Sequence, residues 1–204
     1  METSATLPGN PASAPFPFFA LLEVANPCLA GVKSFHFYPG MLFGSREKWW
    51  PDSGMRPTCH EGIDICFYTA RSGKELQFTS GIRIPAMASG RLFATCRDFL
   101  GRSLFIDHSV DGPSRWLSVY AHIVPIHDLK VGQQVETGEV IGTVADTAGR
   151  KNRMPAHLHL SLIEIPRTVP PDTLDWSYIC TSETVRLVDP LSMLCSEAVR
   201  IHTQ

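Results

Sequence analysis

The sequence has no strong excess of charge. Eighteen Lys and Arg stand against twenty Asp and Glu, a formal net charge of −2 over 204 residues. A balance so near neutral gives no electrostatic footing for nucleic acid or for an anionic membrane surface. Long apolar runs are missing too. The apolar stretches are short and broken by Pro, Gly or charge, so no transmembrane segment is expected. No Lys or Arg precedes Lys33, and the apolar stretch from Phe16 to Leu22 is interrupted by Pro17, which makes a poor secretory signal. None of the six cysteines pairs with another at the C-x-x-C spacing of a zinc knuckle or redox motif. Scattered buried thiols in a reducing compartment are the simpler expectation, although an even count permits disulfides.

What is present favours a packed domain. Hydrophobic residues make up 44% and charged residues 19%, enough apolar material for a core and too little charge for global disorder. The length suits one domain with decorated ends. Residues 1–17 are rich in Pro, Ser, Ala and Thr and read as a mobile lead-in. Residues 18–58 show no clear period and read as an irregular wrap with one strand near Ser34–Tyr38. Trp49 and Trp50 fall in this wrap. Packing in a core or groove is the first reading of the pair, and a wall of a substrate cleft is the second.

From residue 60 to about 165 the pattern is strand after short strand. Candidates are Ile63–Tyr68, Ile82–Met87, Arg91–Cys96, Ser103–His108, Trp116–Ile123, Val140–Ala145 and His157–Ile165, with Gly and Asp between them. No stretch there sustains a helical period, so the expected class is mostly β, a compact antiparallel sandwich or barrel. Residues 131–142, VGQQVETGEVIG, read as a hairpin. Asp189 before Pro190 is a cap signal for a short C-terminal helix.

Three short segments place histidines on polar faces. In Pro155–Leu162 a strand would put Leu158, Leu160 and Leu162 on one side and His157, His159 and Ser161 on the other. Two imidazoles side by side can offer two nitrogens to one small site. In Trp116–Ile123 the same test sets Leu117, Val119, Ala121 and Ile123 against Ser118, Tyr120 and His122. The third segment, His60-Glu61-Gly62-Ile63-Asp64, fails the helical H-e-x-x-H zinc motif because position 64 is Asp. Gly62 and the following apolar run favour a turn entering a strand, which can bring one His and one Asp onto a metal. His36, His127 and His202 have no such context and read as structural or exposed, and His108 reads as a supporting hydrogen bonder.

HEGID, VYAH and HLHL, in that order, resemble the three motifs of the lysostaphin and LytM type of zinc endopeptidase. PAMASGRLF, SLFIDHS, VGQQVETGEVIG and VDPL resemble its strand, hairpin and terminal blocks, and FGSR at 43–46 resembles a block upstream of the first motif. The resemblance covers about 43–194. It implies a duplicated hybrid-motif β-sandwich over 43–194, preceded by a flexible or irregular segment 1–42 and followed by a tail 195–204. It implies Zn²⁺ held by His60, Asp64 and His159, with His122 and His157 as catalytic histidines. It implies hydrolysis of peptide bonds in peptidoglycan cross-bridges or stem peptides, by a zinc-activated water, in the cell envelope, the periplasm or outside the cell. One departure stands out: AGRKNRMPA at 148–156 replaces the family's Gly-Thr-Gly-like loop, which borders the substrate. The competing expectation is an inactive binding or regulatory module on the same fold, against which all five site positions are intact. A histidine phosphocarrier would not need Asp64, and a biotin or lipoyl carrier would need a Lys at the hairpin turn, where there is none.

Overall fold

A computed structural model of the chain describes residues 15–50, 54–126, 129–148, 154–194 and 198–203. His127, Cys195 and the centre of the 148–156 loop lie outside these residues, as does most of the 1–17 lead-in. The first elements are helix α1 (Phe18–Ala25), strand β1 (Ser34–Phe37), β2 (Ile63–Ile65), β3 (Phe67–Thr69), β4 (Glu75–Gln77) and β5 (Arg83–Pro85). The long strands follow: β6 (Gly90–Arg97), β7 (Arg102–Asp107), β8 (Ser114–Pro125), β9 (Gln134–Val135), β10 (Val140–Val144) and β11 (Leu158–Pro166). Helix α2 (Trp176–Thr181), β12 (Arg186–Val188) and β13 (Val199–Ile201) complete the order.

The strands form a four-stranded sheet, β13-β1-β3-β4, and a nine-stranded sheet whose main path is β12-β11-β8-β7-β6-β9. Neither sheet closes, so the structure is a sandwich rather than a barrel. All pairs are antiparallel except β1 with β13. The main core lies between the two sheets. Phe35, Phe37 and Tyr68 enter it from the small sheet, Leu104, Ile106, Tyr120, Leu158, Leu160 and Leu162 from the large one, and Phe18, Phe19 and Leu22 from α1. A second cluster covers the other face of the large sheet, where Phe105, Leu117, Val119 and Ile163 meet Ile179 of α2.

The sequence reading located the long strands to within a few residues, but several local readings change. Residues 18–25 form a helix in the expected irregular wrap, because Phe18, Phe19 and Leu22 share one buried face at helical spacing. Trp176–Thr181 is a second helix, capped by Asp175 accepting from the Tyr178 backbone N–H. Asp189 does cap, accepting from the Leu191 N–H, yet only a 3₁₀ turn (Pro190–Ser192) follows. The chain there is drawn into a bridge with Phe16 instead, the Phe16 N–H donating to the Met193 carbonyl at 2.8 Å. The 131–142 segment turns as expected, but its strands separate: β9 pairs with β6, and β10 with β5 and β8. Among the described residues all five cysteines are free thiols, and Cys28, Cys59 and Cys180 are exposed rather than buried.

Candidate metal and catalytic site

Two strands set one half of the site. β2 pairs antiparallel with β11 in a register that puts Asp64 opposite His159. The approach is close: a Cβ on Gly62 would stand 2.2 Å from the Leu160 carbonyl oxygen. The alternation read from the sequence holds in β11, since Leu158, Leu160 and Leu162 enter the main core while His159 and Ser161 face the other way. His60 comes from the turn before β2.

The donor atoms converge. His60 Nε2 lies 3.1 Å from Asp64 Oδ1 and 3.0 Å from His159 Nδ1, and His159 Nδ1 lies 2.9 Å from Asp64 Oδ1. All three residues are buried. Their outer contacts bear on where the imidazole hydrogens sit. His60 Nδ1 faces the Leu42 carbonyl at 3.0 Å, so it carries the hydrogen and leaves Nε2 with a lone pair. His159 Nε2 pairs with Ser161 Oγ at 2.8 Å, and because a hydroxyl can accept as well as donate, this contact is compatible with the tautomer whose Nδ1 is the inward acceptor. In that tautomer two nitrogen lone pairs and one carboxylate oxygen face one another at about 3 Å and repel unless a cation sits among them. The chemistry of this donor set fits zinc, which binds imidazole and carboxylate tetrahedrally with bonds of about 2.1 Å and hence ligand atoms roughly 3.4 Å apart.

Burial alone would raise the Asp64 carboxyl, but the His60, His157 and His159 imidazoles packed around it hold it well below the usual carboxylate range. Its second oxygen accepts from Trp49 Nε1 at 2.6 Å and Arg56 Nη2 at 3.1 Å. Burial also lowers His159, with Asp64 opposing.

His157 and His122 stand beside this cluster. The His157 and His122 ring centroids are 4.9 Å apart, and those of His122 and His159 are 5.9 Å apart. His157 Nδ1 donates to the Pro155 carbonyl at 2.8 Å, so its Nε2, 3.7 Å from Asp64 Oδ1, is an acceptor. Burial pushes His157 down to about 3, against the attraction of Asp64. His122 Nδ1 meets Asp98 Oδ1 at 3.0 Å, and the His122 backbone N–H donates to Asp98 Oδ2 at 3.0 Å. Asp98 is held in turn by the Leu100 and Gly101 N–H groups and by Ser103 Oγ. Burial disfavours the ionised Asp98, yet hydrogen bonds and charge from His122 keep its carboxyl well below normal.

The route by which His122 reaches the site differs from the expected one. Simple alternation would leave it on the side of Ser118 and Tyr120, and Tyr120 points into the main core, its hydroxyl accepting from the Met87 N–H at 2.8 Å. Between β7 and β8 the register slips, so that Ala121 and His122 together oppose Ser103. His122 takes φ 62°, the only positive φ of a non-glycine among the described residues. The bulge turns it onto the face of His159. Ser118 likewise leaves the site and bonds His108 Nε2 at 2.7 Å.

The group opens into a cavity of about 420 Å³ whose walls include Trp50, Phe99, Met154 and Trp176. The Trp pair divides: Trp50 lines the cavity, while Trp49 packs against the main core and sets its ring edge-on to His157 at 5.2 Å. Sequence reasoning missed Asp98, Arg56 and Trp176. Asp98 carried a signal, an Asp followed closely by Gly101 at a strand-to-strand turn. Arg56 and Trp176 carried none. His36 and His202 bond each other at 2.8 Å, far from the site in the small sheet, in keeping with a structural role.

The sequence model of Peptidase family M23 matches residues 69–171, about half of the chain. The match contains His122, His157 and His159 and begins after His60 and Asp64. No curated protein matches. A solved structure of an M23 peptidase from Pseudomonas aeruginosa superposes with a TM-score of 0.42 at 23% identity, covering 80% of this chain and 56% of that one. The chain thus spans little more than half the length of that structure. A mutant catalytic domain of the prophage-encoded M23 protein EnpA from Enterococcus faecalis gives 0.39 at 22% identity, covering 69% of this chain and 96% of its own.

Proposed function

Because the chain belongs to peptidase family M23, we propose that it is a zinc-dependent endopeptidase cutting peptide cross-bridges or stem peptides of peptidoglycan. His60 Nε2, His159 Nδ1 and Asp64 Oδ1 would hold the metal. When bound, zinc would polarise the scissile carbonyl and ease deprotonation of a water molecule. His122 is the proton carrier of this reading. Asp98 behind its Nδ1 balances the charge His122 gains on taking the water proton, which it then returns to the leaving amine. His157, kept neutral by burial and with Nδ1 tied to a carbonyl, can only accept at Nε2, and it orients the attacking water. Trp50, Phe99 and Trp176 flank the substrate and thin the water around the reacting bond. With a substrate of this kind the enzyme would work in the cell envelope, the periplasm or outside the cell.

The observation that carries the reading is the convergence of two imidazole nitrogens and one carboxylate oxygen beside an imidazole backed by a carboxylate. The test combines metal analysis with digestion of purified peptidoglycan, with and without chelator, followed by mass analysis of the fragments. One zinc per chain and chelator-sensitive fragments are expected. Stoichiometric zinc with intact peptidoglycan and peptides would instead favour a binding module on the same fold.

A further inference from the structure

The two oxygens of Asp64 live in different surroundings. Oδ1 faces His60 and His159. Oδ2 is taken by Trp49 Nε1 at 2.6 Å and by Arg56 Nη2 at 3.1 Å. Neither donor is loosely placed. Arg56 also donates from Nη2 to the Gly40 carbonyl at 3.0 Å and from Nε to the Glu47 carbonyl at 3.1 Å, and its guanidinium lies over the Trp50 ring at 4.7 Å. The Trp49 backbone runs hard against Gly40, where an added Cβ would stand 2.8 Å from the Trp49 nitrogen. The same stretch supplies the Leu42 carbonyl that fixes the His60 tautomer. Residues 40–50 together with Arg56 therefore brace both donors of the first motif, and they lie wholly outside the stretch matched by the family.

We infer that Trp49 and Arg56 are positioning residues that occupy Asp64 Oδ2, so that the carboxylate meets a metal through Oδ1 alone. A carboxylate can bind a metal through one oxygen or two. With two imidazoles already present, a second carboxylate oxygen would fill the place that a peptidase leaves for water or substrate. Two donors aimed at Oδ2 prevent this. They also hold the carboxylate plane, the usual task of groups that bond to ligands from outside. The inference rests on the metal-centre reading above and adds to it the source of the open position.

The test uses the full chain and the variants Trp49→Phe, Arg56→Leu and the double variant, each loaded with zinc or cobalt(II). Trp49→Phe keeps an aromatic ring beside His157 and Phe67 while removing the donor, so it guards against a simple failure to fold, and circular dichroism checks each protein. Metal affinity by competition with a chromophoric chelator should fall about 10-fold in a single variant and toward 100-fold in the double. The visible band of the cobalt protein, weaker for five ligands than for four, should lose intensity in the double variant as Oδ2 joins the metal. Equal affinity and equal band intensity in all four folded proteins would overturn the inference and leave the metal centre standing. If the unsubstituted chain binds neither ion, the metal centre itself fails, and the brace with it.

Discussion

Strands β11 and β8 lie side by side and send imidazoles into one cavity by different means. β11 uses plain alternation: its leucines go to the core and His159 goes to the site. β8 breaks its own alternation with a bulge, and His122 pays for its position with a left-handed backbone. The regular strand carries a proposed metal ligand, whose place is fixed by register with β2. The irregular one carries the proposed proton carrier, which must face both Asp98 and the cavity. Among the described residues the one left-handed non-glycine backbone falls at the proposed proton carrier.

Deleting one imidazole from each strand gives the widest separation. His159→Ala should cost metal affinity on the order of 10²–10³-fold and abolish hydrolysis, while His122→Ala should leave affinity nearly unchanged and lower kcat/KM by about 10²–10⁴-fold. Isothermal titration and peptide turnover read the two effects. If both variants lose metal alike, the division of labour between the strands is wrong. Asp98→Asn should follow His122→Ala in kind, retaining metal and losing roughly 10²-fold or more in kcat, because the imidazolium loses its counter-charge.

A backbone comparison is finer. At position 159, in a regular strand, Gly should be less stable than Ala by about 0.5–1 kcal/mol. At position 122 the order should invert, with Gly more stable than Ala by roughly 1 kcal/mol, since only Ala suffers in the left-handed region. Urea unfolding of the metal-free variants measures both differences, and the same sign at both positions would deny the bulge. The smallest effect concerns His108, bonded to Ser118 of β8 and to the Ser89 carbonyl. Burial lowers His108 below its ordinary 6.5. The unfolded chain then binds the extra proton first, so stability falls as pH drops below about 6.5. His108→Gln should flatten that slope by up to about 1 kcal/mol per pH unit.

The same contrast explains how far the sequence could be read. Period-two patterns are local, so β6, β7, β8, β10 and β11 could be placed, and with them His157 and His159. The separate motifs also marked His60, Asp64 and His122. The phase of β8 beyond Ala121 depends on pairing with β7, a non-local property that no window of residues reports. The helix at Phe18–Ala25 was hidden because its apolar residues cover most of a short segment. Arg56 and Trp176 act through contacts made at a distance in sequence, with Asp64 and with Ser103, and neither has a characteristic spacing. Asp98 could have been found from the turn it caps, had that turn been read as belonging to the site.

Asp64 and His159 meet across 95 positions of chain. A nascent polypeptide therefore cannot own the complete donor cluster until the ribosome has passed the eleventh strand, long after His122 has emerged. Peptide-cutting capacity, if it resides in that cluster, cannot appear before that strand is made, and products truncated ahead of His159 lack it.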